Sequence, residues 1–186
     1  MACGILSERK RGTSKFYIAD LHLGHENVIK HDGRPFADTA KMHDALVRNW
    51  NNAVGHDDEV YILGDFAWKN AEGLTALDEL KGKKFLILGN HDKPTEEMKS
   101  RFEWIKDYTV IKDGADEVVL CHYPIAHWYN QFRGTVHCTV TSTTTLTIIP
   151  LSGTPIFAGI WVFLLSAIML AVCLNIWGTR RGRWRK

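Results

Sequence analysis

The sequence predicts a layered α/β fold, in which short strands alternate with longer helices along the chain. Apolar runs of strand length are separated by segments whose apolar residues recur at helical spacing. The chain has 186 residues, of which 45% are hydrophobic and 24% are charged, as in an ordinary globular protein. Its formal net charge of +2 gives no reason to expect a specific nucleic-acid partner, and no feature indicates a specific protein partner.

Five apolar runs have the length and composition of strands. They cover residues 15–20, 59–63, 84–88, 108–112 and 117–121. The last two runs are joined through Asp113 and Gly114, and the others are separated by helical segments. This order predicts a sheet with helices packed against it.

Three segments show the apolar spacing of a helix. They are Asp38 to Val54, Ala71 to Leu80 and Thr95 to Phe102. Asp38 or Thr39 is expected to cap the first helix, and Gly82 is expected to stop the second. Their positions between the strands support the alternating α/β order.

Polar side chains that suit divalent cations directly follow four of the predicted strands. In chain order they are Asp20 with His22, Asp65, Asn90 with His91, and His122. Each motif alone is better explained by an ordinary turn or a capping residue. Because strand ends gather at one edge of an α/β sheet, four such motifs in one chain predict a shared site.

These motifs resemble those of the calcineurin-like metallophosphoesterases, especially the small bacterial and phage members. The matching stretches are Asp20-Leu21-His22, Gly64-Asp65, Gly89-Asn90-His91-Asp92, His122 to Ile125 with Trp128, and Phe16 to Pro35. The resemblance covers residues 15–137 and implies the four-layer α-β-β-α sandwich of that family, in truncated form. We expect residues 1–14 to be an unstructured extension before this domain.

The resemblance also implies a site for two divalent metal ions. Asp20 and His22 would hold the first ion, and Asp65 would bridge both ions. Asn90 and His122 would hold the second ion. Mixed nitrogen and oxygen ligands suit manganese, iron, zinc or nickel, and the sequence does not choose among them.

The implied reaction is hydrolysis of a phosphomonoester or phosphodiester, with a small molecule or a nucleotide as substrate. The metal pair would lower the pKa of a shared water, and the resulting hydroxide would attack phosphorus in line. His91 would protonate the leaving oxygen as a general acid, with Asp92 orienting it. His25 and His127 are further candidates for the lining of the cleft.

One motif of the family is missing from this chain. Family members carry a final Gly-His-x-His motif whose two histidines complete both metal sites, whereas here His137 is followed by a threonine-rich stretch. Thioether and hydroxyl groups replace imidazole poorly as metal ligands. We therefore expect impaired activity, and the alternative is a non-catalytic, membrane-associated remnant of the fold.

A frameshift would account for the missing motif. Residues 137–149 can be encoded by codons that, regrouped by one base, spell Leu-Tyr-Gly-His-Val-His-Asn-Asn-Ala-Asp-Tyr-Asn. The motif then lies directly after His137, and the threonine run arises from successive codons that end in AC. The alternative is a natural extension unrelated to the family.

The C-terminal part of the chain differs from the rest in charge, since residues 134–179 contain no Asp, Glu, Lys or Arg. We expect a threonine-rich linker at 138–154, a transmembrane helix at 155–177 and a basic tail at 178–186. A buried hairpin and a disordered tail are the alternatives to the membrane helix. The four cysteines lack a metal-binding or dense disulfide spacing. We therefore expect a cytoplasmic phosphoesterase domain with membrane association through 155–177.

Overall fold

The protein forms two four-stranded sheets in the computed structural model, which describes residues 13–142 and 145–149. The first sheet is parallel, and its strands in spatial order are β1 (Lys15–Ile18), β2 (Glu59–Leu63), β3 (Lys83–Ile87) and β4 (Trp104–Lys106). The second sheet has the order β5 (Tyr108–Asp113), β6 (Asp116–Cys121), β7 (Val136–Ser142) and β8 (Thr145–Ile149). In the second sheet β6 and β7 are parallel, and the other two pairs are antiparallel.

Helices connect the parallel strands of the first sheet, because parallel neighbours need a crossover rather than a hairpin. They are α1 (Glu26–His31), α2 (Thr39–Ala53), α3 (Asn70–Glu79) and α4 (Glu96–Lys99). The Asp38 side chain accepts a hydrogen bond from the Lys41 N–H at 2.7 Å, so the predicted cap of α2 is confirmed. The Thr95 hydroxyl accepts from the Met98 N–H in the same way at the start of α4.

The first sheet is buried on both faces, so alternate residues of each strand enter two different cores. In β2, Val60 and Ile62 pack with α2, whereas Tyr61 and Leu63 pack against the second sheet. The described residues therefore form three layers, namely helices, parallel sheet and mixed sheet. The predicted mixed α/β class is confirmed, and the second helical layer of the expected four-layer sandwich is not seen among residues 13–142 and 145–149. The second sheet contributes to the core between the sheets through Val118, Leu120, Cys138 and Val140.

The threonine-rich stretch differs from its predicted role as a linker over residues 138–154. Residues up to Ser142 belong to β7, and Thr145–Ile149 form β8. Threonine, valine and isoleucine are β-branched and favour strands, which explains this difference. The alternation of side chains also places Cys138 and Val140 in the core between the sheets.

The predicted segments at both ends lie largely outside the described residues. This applies to residues 1–12 of the expected extension, to the predicted transmembrane helix at 155–177 and to the basic tail at 178–186. Within residues 13–142 and 145–149, no helix is long and apolar enough to cross a membrane. The membrane segment therefore stays a prediction from sequence.

Candidate metal centre

The seven residues predicted as metal ligands or catalytic groups lie together at the end of the parallel sheet. Because β1, β2 and β3 run in the same direction, the loops after them meet at one edge. The residue that follows β6 joins them from the second sheet. The resulting cluster consists of Asp20, His22, Asp65, Asn90, His91, Asp92 and His122.

The Asp65 carboxylate lies at the centre of this cluster. Its Oδ2 atom lies 3.7 Å from His22 Nε2, 4.0 Å from His91 Nε2 and 3.9 Å from His122 Nε2. These distances exceed those of hydrogen bonds, so three imidazoles face the carboxylate without pairing with it. His122 Nε2 also lies 3.3 Å from Asn90 Oδ1. A carboxylate with nitrogen donors on several sides is suited to bridging two cations.

Asp20, His22 and Asp65 have the arrangement of metal ligands. One possible ligand atom from each lies within 4.8 Å of the others, and all three residues are buried. Asp20 Oδ2 and both ring nitrogens of His22 find no hydrogen-bond partner among the described residues. An unsatisfied buried polar group costs about 1–3 kcal/mol. A bound cation would satisfy these atoms, so the donor set fits a divalent metal ion.

The same three residues have an unfavourable backbone conformation. The φ angles of Asp20, His22 and Asp65 are 55°, 50° and 53°. In the described part of the chain, only one other non-glycine residue has a positive φ. The left-handed region costs about 1–2 kcal/mol for an ordinary L-residue. Strain that is concentrated at three neighbouring possible ligands is typical of a functional site.

Two glycines allow the strand ends to approach so closely. Gly64 has a φ of +85°, and a Cβ atom there would collide with the His122 ring and with the Gly89 backbone. A Cβ atom at Gly89 would collide with the Asp65 side chain and backbone. A side chain at either position would therefore separate the loops that carry the cluster.

Arg34 stabilises the turn after β1 through hydrogen bonds to the backbone of that turn. Its guanidinium donates to the Asp20 carbonyl at 2.9 Å and to the Leu21 carbonyl at 3.0 Å. The same group pairs with the Asp32 carboxylate at 3.3 Å, and its side chain is 11% exposed. The sequence analysis did not single out Arg34, because bonds to backbone carbonyls leave no pattern in the sequence.

The Asp92 carboxylate forms hydrogen bonds with the backbone of the loops after β2 and β3, and not with the His91 ring. Its oxygens accept from the backbone N–H groups of Asp65, Phe66 and Gly89 at 2.8, 2.9 and 2.9 Å. Among the described hydrogen bonds, none joins it to the His91 ring. The backbone N–H group of His91 donates to Asp65 Oδ1 at 3.0 Å, which holds His91 in place. Asp92 thus acts on His91 only through the backbone of the loop.

Burial makes the metal-free cluster electrostatically unfavourable. Desolvation, followed by repulsion from the Asp65 carboxylate, raises the pKa of Asp20 to about 8. Desolvation also lowers the pKa of His22 and raises that of Asp92. A cation would favour the ionised carboxylate and the neutral imidazole, which are the ligand forms of both groups.

Aromatic side chains border the cluster. The Trp68 ring lies 5.1 Å from the His91 ring and 4.3 Å from the His25 ring, between centroids. Tyr123 packs edge-on against His122 at 4.8 Å. Trp68 and Tyr123 are both about half exposed. His25 therefore lies at the site, and sequence reasoning missed Trp68 because a single tryptophan after a strand carries no motif.

Two other histidines from the sequence analysis lie away from the cluster. His127 is exposed, and its Nδ1 atom lies 3.3 Å from Gln131 Oε1. His137 is fully buried in β7 and packs against Trp128 with 5.3 Å between ring centroids. Burial lowers the pKa of His137 to about 4, so this ring is neutral at physiological pH.

Comparisons with known proteins agree with this geometry. The family model for calcineurin-like phosphoesterases matches residues 16–153. An uncharacterized protein of Methanocaldococcus jannaschii is 34% identical over 122 residues, which are 64% of this chain and 64% of that protein. The gene 66 protein of Mycobacterium phage L5 is 39% identical over 87 residues, which are 44% of this chain and 41% of that protein. A crystal structure of an Aquifex aeolicus protein of unknown function has a TM-score of 0.53 and 32% identity, and the match covers 61% of this chain and 62% of that one.

The chain spans less than two thirds of the length of these relatives. The family match nevertheless includes every residue of the cluster, from Asp20 to His122. The fold, the cluster of possible metal ligands and the family match all indicate the same assignment. The chain belongs to the calcineurin-like phosphoesterase family.

Proposed function

We propose that this chain hydrolyses phosphomonoesters or phosphodiesters with two divalent metal ions held at the end of the parallel sheet. By family, it is a phosphoric-ester hydrolase. The observation that carries the proposal is the strained, buried group of Asp20, His22 and Asp65 with unpaired donor atoms. Such a group is costly unless a cation occupies it.

Five side chains would hold the ions. Asp20 and His22 would bind the first ion, Asn90 and His122 the second, and Asp65 both. Manganese, iron, zinc and nickel all accept this mixture of oxygen and nitrogen ligands. When bound, the pair supplies a hydroxide nucleophile at neutral pH and offsets the charge of the phosphate oxygens.

His91 is the general acid of this proposal. Its side chain is 37% exposed, so a substrate can reach the ring from solvent. Its Nε2 atom lies 4.0 Å from Oδ2 of Asp65, the carboxylate proposed to hold both ions, which supports this role. An imidazole at this position can protonate the oxygen that leaves phosphorus. Asp92 supports the reaction by holding the loops after β2 and β3 together.

A metal-binding remnant with little turnover is the second candidate, and the missing Gly-His-x-His motif favours it. In the described part of β7, Cys138 packs into the core between the sheets. Thr139 donates its hydroxyl hydrogen to the His122 carbonyl at 2.9 Å. Because Cys138 is buried in that core and the Thr139 hydroxyl bonds to a backbone carbonyl, we expect neither to replace an imidazole ligand and the turnover of this chain to be lower than that of a complete site.

Hydrolysis of bis(p-nitrophenyl) phosphate by the full chain, with added Mn²⁺ and after chelation, tests the proposal. Wild-type protein should be active with Mn²⁺ and inactive with the chelator. Asp65→Asn should be inactive in both conditions, whereas Asp57→Asn changes an exposed acid and should resemble the wild type. Metal binding without measurable turnover would favour the remnant, and activity that survives chelation would contradict the proposal.

A further inference from the structure

Trp68 forms an aromatic wall beside His91. Its indole lies 5.1 Å from the His91 ring and 4.3 Å from the His25 ring, between centroids. Despite these contacts, 49% of the residue is exposed. A large aromatic surface left open to solvent next to a catalytic ring is available for stacking with a ligand.

The backbone that carries this indole is fixed by the fold. Ala67 forms a parallel β-bridge with Leu23, and the Trp68 N–H group donates to the Leu23 carbonyl at 2.9 Å. Phe66 and Ala67 are buried directly before it, and α3 begins two residues later at Asn70. The backbone position of the wall is therefore set before a ligand arrives, which reduces the entropy lost on binding.

The position of His91 determines where the leaving group must lie. A general acid has to come within hydrogen-bond reach, about 3 Å, of the oxygen that it protonates. The Trp68 indole packs against the His91 ring, so the atoms bonded to the leaving oxygen lie next to Trp68. A planar unsaturated group can stack on an indole at this position, whereas a puckered saturated ring has no π-face to offer.

Tyr123 is the other half-exposed aromatic residue that packs against the cluster. It packs edge-on against His122, a proposed metal ligand, at 4.8 Å between ring centroids. In the described structure, no ring contact joins it to His91. This difference singles out Trp68 as the aromatic residue on the side of the leaving group.

We propose that Trp68 is a specificity-determining residue that selects phosphoesters with a planar, aromatic or heteroaromatic leaving group. The inference rests on the proposed function, because the phosphate end of the substrate is held by the metal site. It goes beyond that function by assigning a residue and a chemical class to the leaving-group side of the cleft.

Two non-hydrolysable ligands test this inference without relying on turnover. Phenylphosphonate and cyclohexylphosphonate carry the same acid group and six-membered carbon rings, but only the phenyl ring is planar. Isothermal titration of the full chain with Mn²⁺ should show that phenylphosphonate binds about tenfold more tightly, which corresponds to about 1.4 kcal/mol. Trp68→Phe should keep part of this preference, and both Trp68→Ala and Trp68→Leu should lose it.

Phe132→Ala is the matched control, because Phe132 is an aromatic residue that is 83% exposed and makes no described ring contact with the cluster. This variant should keep the wild-type preference. If Trp68→Leu weakens both ligands equally, the indole only positions His91 and the inference is overturned. Equal binding of both ligands to the wild type would overturn the inference alone. Failure of both ligands to bind with Mn²⁺ would overturn the proposed function and the inference together.

Discussion

Replacing Arg34 with methionine should weaken metal binding although Arg34 touches no metal ion. The guanidinium donates to the carbonyls of Asp20 and Leu21, and it thereby holds a turn in which Asp20 and His22 both have positive φ angles. A hydrogen bond from a charged group contributes about 1.5–3 kcal/mol, so the loss of two bonds should lower the free energy of unfolding by roughly 3 kcal/mol or more. Loss of a residue that orients metal ligands typically lowers metal affinity by about 10–100-fold.

Titration with Mn²⁺, followed by electron paramagnetic resonance, measures this effect on folded protein. Arg34→Met should show the full loss of affinity, and Arg34→Lys a smaller one, because lysine keeps the charge but not the planar fork. Arg101→Met is the control, since Arg101 pairs with Asp78 near the protein surface. Thermal denaturation should confirm that each variant is folded at the assay temperature. If Arg34→Met binds Mn²⁺ as tightly as Arg101→Met does, the reasoning about the turn is wrong.

Three other predictions follow from the same cluster. His91→Ala should reduce turnover by about 10²–10⁴-fold with metal retained, and by less for an ester with a very good leaving group; equal losses for both esters would argue against the acid role. The pKa of Asp20 is raised from 3.8 to about 8 in the folded, metal-free protein, so the folded state favours the protonated carboxyl. The contribution of Asp20 to the free energy of unfolding is therefore fully present at low pH and is lost as the pH rises toward 8. In chelator, Asp20→Asn should therefore unfold at a higher urea concentration than the wild type at about pH 9, with the difference vanishing near pH 4; a constant difference would contradict the shift. Restoring one base after codon 137 should recover hydrolysis and metal stoichiometry together, and DNA whose regrouped bases do not spell Gly-His-x-His would refute the frameshift.

Much of the fold was predictable because local patterns determine it. The apolar runs at 59–63 and 117–121 form β2 and most of β6, and the polar residues after them meet as expected. The threonine-rich stretch was predicted to be a linker, whereas much of it forms β7 and β8. Threonine is common in polar linkers, but it is also β-branched and therefore favours strands. The short strand β4 was missed, since its three residues pair with β3 only through tertiary packing.

The parts of the site that sequence could not predict depend on the backbone. Candidate ligands can be read from motifs, but the left-handed conformations of His22 and Asp65 cannot. The bonds from Arg34 and to Asp92 involve main-chain groups, so they follow from the path of the loops rather than from residue type. The place of Trp68 beside His91 likewise depends on two loops that are distant in sequence.

We propose that Asp65 is the shared ligand of a divalent metal site. Elemental analysis of the purified full chain, after incubation with Mn²⁺ and gel filtration, tests it most directly. Wild-type protein and His25→Ala should retain Mn²⁺, because His25 lies at the edge of the cluster, whereas Asp65→Asn should retain none because only the proposed bridging carboxylate would serve both ions. Equal metal content in Asp65→Asn and His25→Ala would contradict the account.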